Sequence, residues 1–503
     1  VQLQELLARE SGADDTSPEP CDHCHFCEFQ TTCEQIWRDA DSLVYVAGVT
    51  KKERAALDAA EVDTLAALAA RTEPVVGLRP ERLVRLREQA ALQVQARAEP
   101  DATPPFVLTD PGDDPVWGHG FEQLPEPDAG DIFLDFEGHP FWRADRGLFF
   151  LFGFIAADEH GDWRFHGLWA HDEDQERDCV AELVRYIEDR RSHHPGMHVY
   201  HYNHTERSAL ESLVAQHAVA ESALAALVDS GAFVDLFVVA RNAMQVGVES
   251  YGLKHLERLT DYERSHEIDR GAGAVVAFEE HSRDGDQAHL DAIAAYNEDD
   301  VRATQALRDW LVAQRPVDLA WRAASVEPEE EPADVDELIE ALAAFEDDTV
   351  ERLLADLLGY WLREWRAFIA PKIGHLSAGA DEQLDNPAVL AGLGHGEEVD
   401  RLTPTGRPAK WPGLRMAFPP QTLGSDFEGG RVDSAISLGS DGLVGFVDID
   451  ETDVDGGTVT LVWSDTAQEH GPPSALVVND WVSPSTKRGA LEDLARQVLD
   501  PAA

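Results

Sequence analysis

The chain has 503 residues, too many for one ordinary core, so about two to four domains are expected. Asp and Glu total 96 against 41 Lys and Arg, a formal charge of −55, yet 43% of residues are apolar; disorder needs high charge together with low hydrophobicity, so it is excluded. No apolar run approaches the roughly 20 residues that span a bilayer, and residues 1–10 lack a basic stretch followed by an apolar core, so no membrane partner and no secretory signal are expected and the location is read as cytoplasmic.

Acidity on this scale fits a folded, halophilic protein, because the Debye length shrinks to about 3 Å at 1 M salt and self-repulsion becomes tolerable. Lys occurs only at 51, 52, 254, 372, 410 and 487, which does not discriminate, since a GC-rich genome also favours Arg. An acidic chain is a poor partner for phosphate, so any nucleic acid would have to meet local basic groups.

In chain order, residues 1–20 are polar and read as the truncated edge of something larger. Cys21, Cys24, Cys27 and Cys33 follow as C-x2-C-x2-C-x5-C, with His23 and His25 interleaved. In a cytoplasmic protein this spacing favours a metal over disulfides. Such thiolates hold iron–sulfur clusters, and four thiolates, or three with one imidazole, hold Zn2+; both stay open, as does a cluster that holds no metal. Cys179 falls in a helical stretch and reads as core packing.

Residues 36–99 read as short helices over 51–60, 63–70 and 79–97. The first two, joined across "AEVDT" with Asp63 or Thr64 as cap, resemble a helix–hairpin–helix element, which would offer Lys51, Lys52 and Arg54 to a nucleic-acid backbone. A plain structural hairpin is the equal alternative. Residues 100–128, rich in Pro, Gly and Asp, form a linker.

From Gly130 the pattern changes. "DIFLDFEG", "LFFLFGFIAA" and "DWRFHGLWA" read as successive strands, followed by a helix over 174–192. "HVYHYN" is a fourth strand, with a helix over 205–216. "FVDLFVVAR" opens another element, and 290–313 is a long helix. Strands in a meander and then alternating with helices predict an α/β fold with a mixed sheet of ribonuclease-H-like type. Residues 326–337 are a charged linker, and helices fill 335–367. Short alternating strands over 413–478 suggest a small β-barrel, and "STKRGALEDLARQVL" is a closing amphipathic helix. There is no internal repeat and no G-x-x-x-x-G-K-[ST], so no P-loop ATPase.

Three segments of the mixed-sheet region carry acidic chemistry. Hydrolysing a phosphodiester with two divalent ions needs several carboxylates around metals about 4 Å apart, and hard cations such as Mg2+ take oxygen ligands. In "FLDFEG", Asp135 and Glu137 are two apart on a strand and share a face. In "YHYNHTERSAL", Glu206 stands in the first turn of a helix just past a strand. In "YNEDDVRAT", Tyr296 and Asp300 are four apart on a helix and are neighbours; a phenol there can orient the attacking water. Asp235 is expected beside the site. Asp299, about 100° round the helix from Asp300, is expected to face solvent.

"LDFEG", "YHYNHTERSAL", "FVDLFVVAR", "YGLKHLERL" and "YNEDDVRAT" together resemble the YprB-type ribonuclease-H-like exonuclease domain of RecB-like nucleases, over about residues 130–312. The resemblance implies a DEDD-type 3′–5′ exonuclease acting on DNA or RNA ends, in DNA repair or nucleic-acid processing. Asp135, Glu137 and Asp300 would bind two Mg2+ or Mn2+, Asp135 bridging them. Glu206 would serve the second ion through water, and Tyr296 would position the nucleophile. Glu206 departs from the family, where most members carry Asp. A catalytically weak nucleic-acid-binding or scaffolding module is the alternative.

Cys24, Cys27 and Cys33 resemble the distal end of RecB-type nucleases, where three such cysteines join an upstream one to hold a [4Fe–4S] cluster; Cys21 would stand in as the fourth ligand. The C-terminal third resembles the region before a superfamily 1 helicase motor. The expected organisation is a cysteine-cluster remnant (1–35), a helical region (36–99), the exonuclease domain (129–315) and a helicase-associated-like region (335–503). A helicase motor and a RecB-type nuclease core would be partners encoded nearby.

Overall fold

The structure, a computed structural model, describes residues 18–21, 24, 27–110, 120–144, 146–203, 205–264, 271–321, 333–345, 349–378 and, with short breaks, 383–499. The chain forms two units, Val1–Thr109 with Met244–Asp261, and Asp110–Ala243 with Tyr262–Ala503. Among the described residues no helix is long and apolar enough to cross a membrane.

The first unit begins with α1 (Gln30–Asp39), α2 (Lys51–Ala59), α3 (Leu65–Ala70), α4 (Pro80–Ala98) and β1 (Phe106–Leu108). α2 starts where it does because Thr50 and Glu53 cap it reciprocally: Glu53 N donates to Thr50 Oγ1 (3.2 Å) and Thr50 N to Glu53 Oε2 (2.8 Å). Leu57, Leu65, Leu68, Leu86 and Ala90 interlock beneath the helices. Arg82 fastens α4 to Glu53 at 2.6 Å.

This arrangement bears on the hairpin expected to meet nucleic acid. The N-terminus of α2 is closed by its own capping box. Lys51 and Arg54 both face Glu19, at 3.8 and 3.5 Å, and the Arg54 side chain is only 12% exposed. Lys52 is exposed.

The second unit opens with β2 (Ile132–His139), β3 (Leu148–Ala157) and β4 (Trp163–Trp169). There follow α5 (Glu173–His193), β5 (Val199–His201), α6 (Thr205–His217), α7 (Glu221–Asp229), β6 (Phe233–Asp235) and α8 (Leu236–Ala243). The next residues belong to the first unit: β7 (Met244–Val246) pairs antiparallel with β1, and α9 (Leu253–Leu256) follows. α10 (Gly271–Asp284) and α11 (Gln287–Gln314) return to the second unit.

The sheet runs β4-β3-β2-β5-β6. β3 runs antiparallel to both β2 and β4, while β2, β5 and β6 are parallel, so the expected mixed sheet is present. Ile132, Leu134, Phe136, Phe152 and Phe154 pack on one face against Val180, Leu183, Ile187, Leu210 and Leu213 of α5 and α6. The other face carries Phe150, whose ring stacks on Phe278 of α10 with centroids 4.2 Å apart, and it is crossed by α11. Cys179 is buried in the first of these layers, as expected.

The remaining elements are α12 (Ala333–Ala343), α13 (Val350–Ser377), β8 (Val389–Ala391), β9 (Glu397–Val399), β10 (Gly413–Ala417), β11 (Val432–Leu438), β12 (Val444–Asp453), β13 (Thr458–Val462), α14 (Asp465–His470), β14 (Ala475–Val478) and α15 (Ser485–Leu499). The strands make one antiparallel sheet, ordered β8-β14-β11-β12-β13-β10-β9. The small barrel expected from the sequence is therefore an open sheet: β8 and β9 end it, with no pairing between them among the described residues. Alternation accounts for its two faces. Leu390, Met416, Ile449 and Leu461 meet in one core, whereas Val389, Ala391, Ile436 and Val477 pack against Ile369 and Leu376 of α13. Part of the expected charged linker, residues 326–332, lies outside the described residues.

Candidate active site

Strand alternation sets up the site. Ile132, Leu134 and Phe136 are committed to the α5–α6 core, so Asp135 and Glu137 project from the opposite face, toward α11. There Asn297 Nδ2 donates to Asp135 Oδ2 at 2.6 Å. α11 also carries Tyr296 and Asp300, and carboxylate oxygens of Asp135, Glu137 and Asp300 lie within 4.8 Å of one another. β2 and β5 run parallel, and the carboxyl ends of such strands are where open α/β sheets place ligands.

Glu206 lies in the first turn of α6, beyond the end of β5, and is 5% exposed. It stands outside the 4.8 Å group, but its charge is among those acting on Asp135. Its Oε2 is buried without a hydrogen-bond partner. His201 Nδ1 is 3.8 Å from that oxygen and 2.6 Å from the Asn203 carbonyl. Asp235 braces the same turn, accepting from Asn203 N and Phe237 N, both at 2.9 Å. Asn203 adopts φ +74°, a left-handed conformation that Asn tolerates better than most residues.

Crowded carboxylates raise one another's pKa. Burial, then the charges of Asp300, Glu137 and Glu206, push Asp135 well above the ordinary carboxylate range, with Arg264 opposing. Burial pushes Glu206 up to about 8, the charges of Asp235 and Asp300 adding to it and a backbone hydrogen bond opposing. The Tyr296 phenol is driven upward by burial, by the charges of Asp300, Glu137 and Asp135, and by its hydrogen bond to Asp300. An all-oxygen donor set, short of positive charge and with one buried oxygen unpartnered, fits hard divalent cations. Asp135, Glu137 and Asp300 are the residues that would hold them, with Glu206 beside.

Asp299 corrects a sequence expectation. It is 4% exposed, not solvent-facing, and accepts a hydrogen bond from Tyr262 Oη. The helical phase was right, but α11 is covered on two sides, by the sheet and by the segment around Tyr262. Next to it, Arg264 Nη1 lies 2.7 Å from Asp300 Oδ1.

Sequence reasoning missed Asn297, Tyr262, Arg264 and His201. One signal for Asn297 was available: Gly153 interrupts the apolar run of β3, and a glycine inside a strand often marks a close approach. Gly153 pairs with Asp135 across the sheet, and a Cβ there would fall 1.6 Å from Asn297 Oδ1.

None of the four clustered cysteines is in a disulfide. Cys21 and Cys24 bring their sulfurs to 3.9 Å. No third cysteine joins them within 4.8 Å among the described residues. His23 and His25 lie outside the described residues.

No curated protein and no solved structure matches this chain. Residues 132–312, the stretch that carries Asp135, Glu137, Glu206, Tyr296 and Asp300, match the family model RNase_H_2 of the RNase_H superfamily.

Proposed function

We propose that the chain is a divalent-metal-dependent 3′–5′ exonuclease of the DEDD type, acting on DNA or RNA ends. The observation that carries this reading is the convergence of Asp135, Glu137 and Asp300 within 4.8 Å on a mixed sheet whose residues 132–312 match the RNase_H superfamily, a group suggestive of nuclease activity. Two Mg2+ or Mn2+ at these carboxylates, with Glu206 reaching the second through water, would supply an activated water and stabilise charge on the scissile phosphate. The protein's own groups do the positioning. Asn297 holds Asp135 in place, and Asp235 braces the turn that presents Glu206. Tyr296, its pKa driven upward, stays protonated at neutral pH; it serves as a hydrogen-bond donor that orients water, not as a base.

The finer resemblance, to the YprB-type domain of RecB-like nucleases, rests on the motifs and belongs to the same reading. So do a role in DNA repair, a helicase motor as partner, a halophilic source and a [4Fe–4S] cluster, or Zn2+, on Cys21, Cys24, Cys27 and Cys33. The decisive experiment incubates the protein in multimolar KCl with Mg2+ or Mn2+ and end-labelled oligonucleotides. A descending ladder from 5′-labelled strands, with immediate loss of a 3′ label as mononucleotide, is expected. Metal-dependent binding without degradation would leave only the scaffolding alternative.

A further inference from the structure

Two consecutive carboxylates of α11 fasten the segment around Tyr262 to the site. Tyr262 Oη donates to Asp299, and two residues on, Arg264 Nη1 sits 2.7 Å from Asp300 Oδ1. Asp300 is also one of the three carboxylates gathered within 4.8 Å. The group that receives Arg264 is thus a group that a cation would claim.

Charge counting gives the guanidinium a second task. Two divalent ions would neutralise the four carboxylates Asp135, Glu137, Glu206 and Asp300. Arg264 is then a positive charge beside a neutralised cluster, and one positive charge is the complement of one phosphodiester. Its planar fork matches phosphate oxygens in paired hydrogen bonds. The Arg264 side chain is 18% exposed, so its field is less screened than that of a surface arginine. On a chain of net charge −55, a cation fixed beside the carboxylates would draw a phosphate toward them against the general repulsion.

Resting on the nuclease reading above, we infer that Arg264 is the residue that grips the substrate phosphate. Its partner Asp300 is a carboxylate that a divalent ion would claim, and a phosphate held by that ion would compete for the guanidinium. Tyr262, held by Asp299, is the brace that keeps Arg264 over the site.

Two measurements on wild type, Arg264→Ala, Arg264→Lys and Tyr262→Phe test this, with circular dichroism confirming that each variant is folded. In the first, Mn2+ is titrated calorimetrically into metal-free protein. Removing the competitor should tighten Mn2+ binding several-fold in Arg264→Ala and leave it unchanged in Tyr262→Phe. In the second, a 5′-fluorescein oligothymidylate with a free 3′ end is bound in Ca2+, read by anisotropy. Affinity should fall roughly tenfold or more in Arg264→Ala, as for a lost charge-assisted contact. The loss should be smaller in Arg264→Lys, which keeps the charge without the fork, and in Tyr262→Phe. If Arg264→Ala binds Mn2+ no better, or binds the oligonucleotide as well as wild type does, the inference is overturned. Wild type that takes up Mn2+ but neither binds nor degrades the oligonucleotide would instead remove the nuclease reading, and this inference with it.

Discussion

Asn297 is joined to Asp135 twice, its Nδ2 donating to Oδ2 at 2.6 Å and to the backbone carbonyl at 3.2 Å. A half-buried carboxylate among other carboxylates needs a donor to hold one orientation, and Asn297 supplies it from the same helix turn that carries Tyr296 and Asp300. Farther along α11, Arg308 Nη1 meets Asp131 Oδ2 at 2.6 Å, just before β2 begins. The helix is therefore tied to the strand at two points, and those ties set where its acidic residues stand.

The first tie depends on an absent side chain. Gly153→Ala would place a methyl 1.6 Å from Asn297 Oδ1, and Asn297 is fully buried. The amide must leave Asp135 or the strands must part. The variant should lose about 1–3 kcal/mol of stability, as overpacked cores do, and should lose metal-dependent degradation far beyond that. Thermal melting together with Mn2+ titration checks this; wild-type Mn2+ affinity in the variant would contradict the role given to Asn297.

The second tie is a buried ion pair. The Asp131 side chain is 0% exposed and that of Arg308 5%, and the guanidinium also lies 4.8 Å from the ring centres of both Phe133 and Tyr200. Arg308→Ala strands Asp131 and should cost about 3–5 kcal/mol, whereas the double variant Asp131→Asn/Arg308→Met should cost markedly less, because no buried charge is left alone. Equal melting temperatures for the two variants would refute the ion-pair explanation.

Much of this arrangement is legible in the sequence. The two-residue spacing of Asp135 and Glu137 and the four-residue spacing of Tyr296 and Asp300 each imply a shared face, and both pairs meet at the site. Contacts between distant segments leave no such periodic trace. Arg264 and Tyr262 reach α11 across more than thirty residues of intervening chain, and nothing local marks them. Asp299 was misjudged because one buried face was assumed for a helix that has two. The C-terminal strands alternate as barrel strands do, but closure depends on pairing between β8 and β9, which alternation does not encode.

Glu206 gives the metal-free protein a pH dependence with a definite sign. Its pKa stands at about 8 in the fold against an ordinary 4.5, burial being the leading cause. Between those values the folded state holds more protons than the unfolded one, so stability is greatest below the lower value and falls as pH rises through the upper. The melting temperature of metal-free wild type should fall more steeply from pH 5 to 8 than that of Glu206→Gln. Mg2+ should flatten the wild-type slope, because binding replaces the proton. Parallel slopes for wild type and Glu206→Gln would show that Glu206 does not titrate in this way.

The cysteine cluster is tested by metal content. The resemblance to RecB-type nucleases implies iron and sulfide, and anaerobically purified protein should then be brown with broad absorption in the visible blue. The 3.9 Å approach of Cys21 and Cys24 sulfurs is also close to the ~3.8 Å edge of a tetrahedron with ~2.3 Å Zn–S bonds. Colourless protein with one equivalent of zinc would move the assignment there. Protein with neither metal would retire both.

The carboxylates themselves allow the sharpest test, because removing a ligand and removing a positioning group should differ in kind. Asp135→Ala or Asp300→Ala leaves divalent ions with too few oxygens, and Mg2+- or Mn2+-dependent degradation should drop to background. The metal-free fold should survive, because the repelling charge removed from a group within 4.8 Å offsets the lost partner of Asn297 or Arg264. Tyr296→Phe keeps every carboxylate and removes one hydrogen bond to Asp300. It should cost roughly 10- to 100-fold in rate, as loss of a ligand's outer partner typically does, with Mn2+ binding retained. Asp299→Ala removes the acceptor of Tyr262 and should weaken oligonucleotide binding while leaving Mn2+ affinity in place. Mn2+ titration and single-turnover degradation, run on all four variants, separate these outcomes. Asp135→Ala that still binds Mn2+ as wild type does would mean that the metal site lies elsewhere.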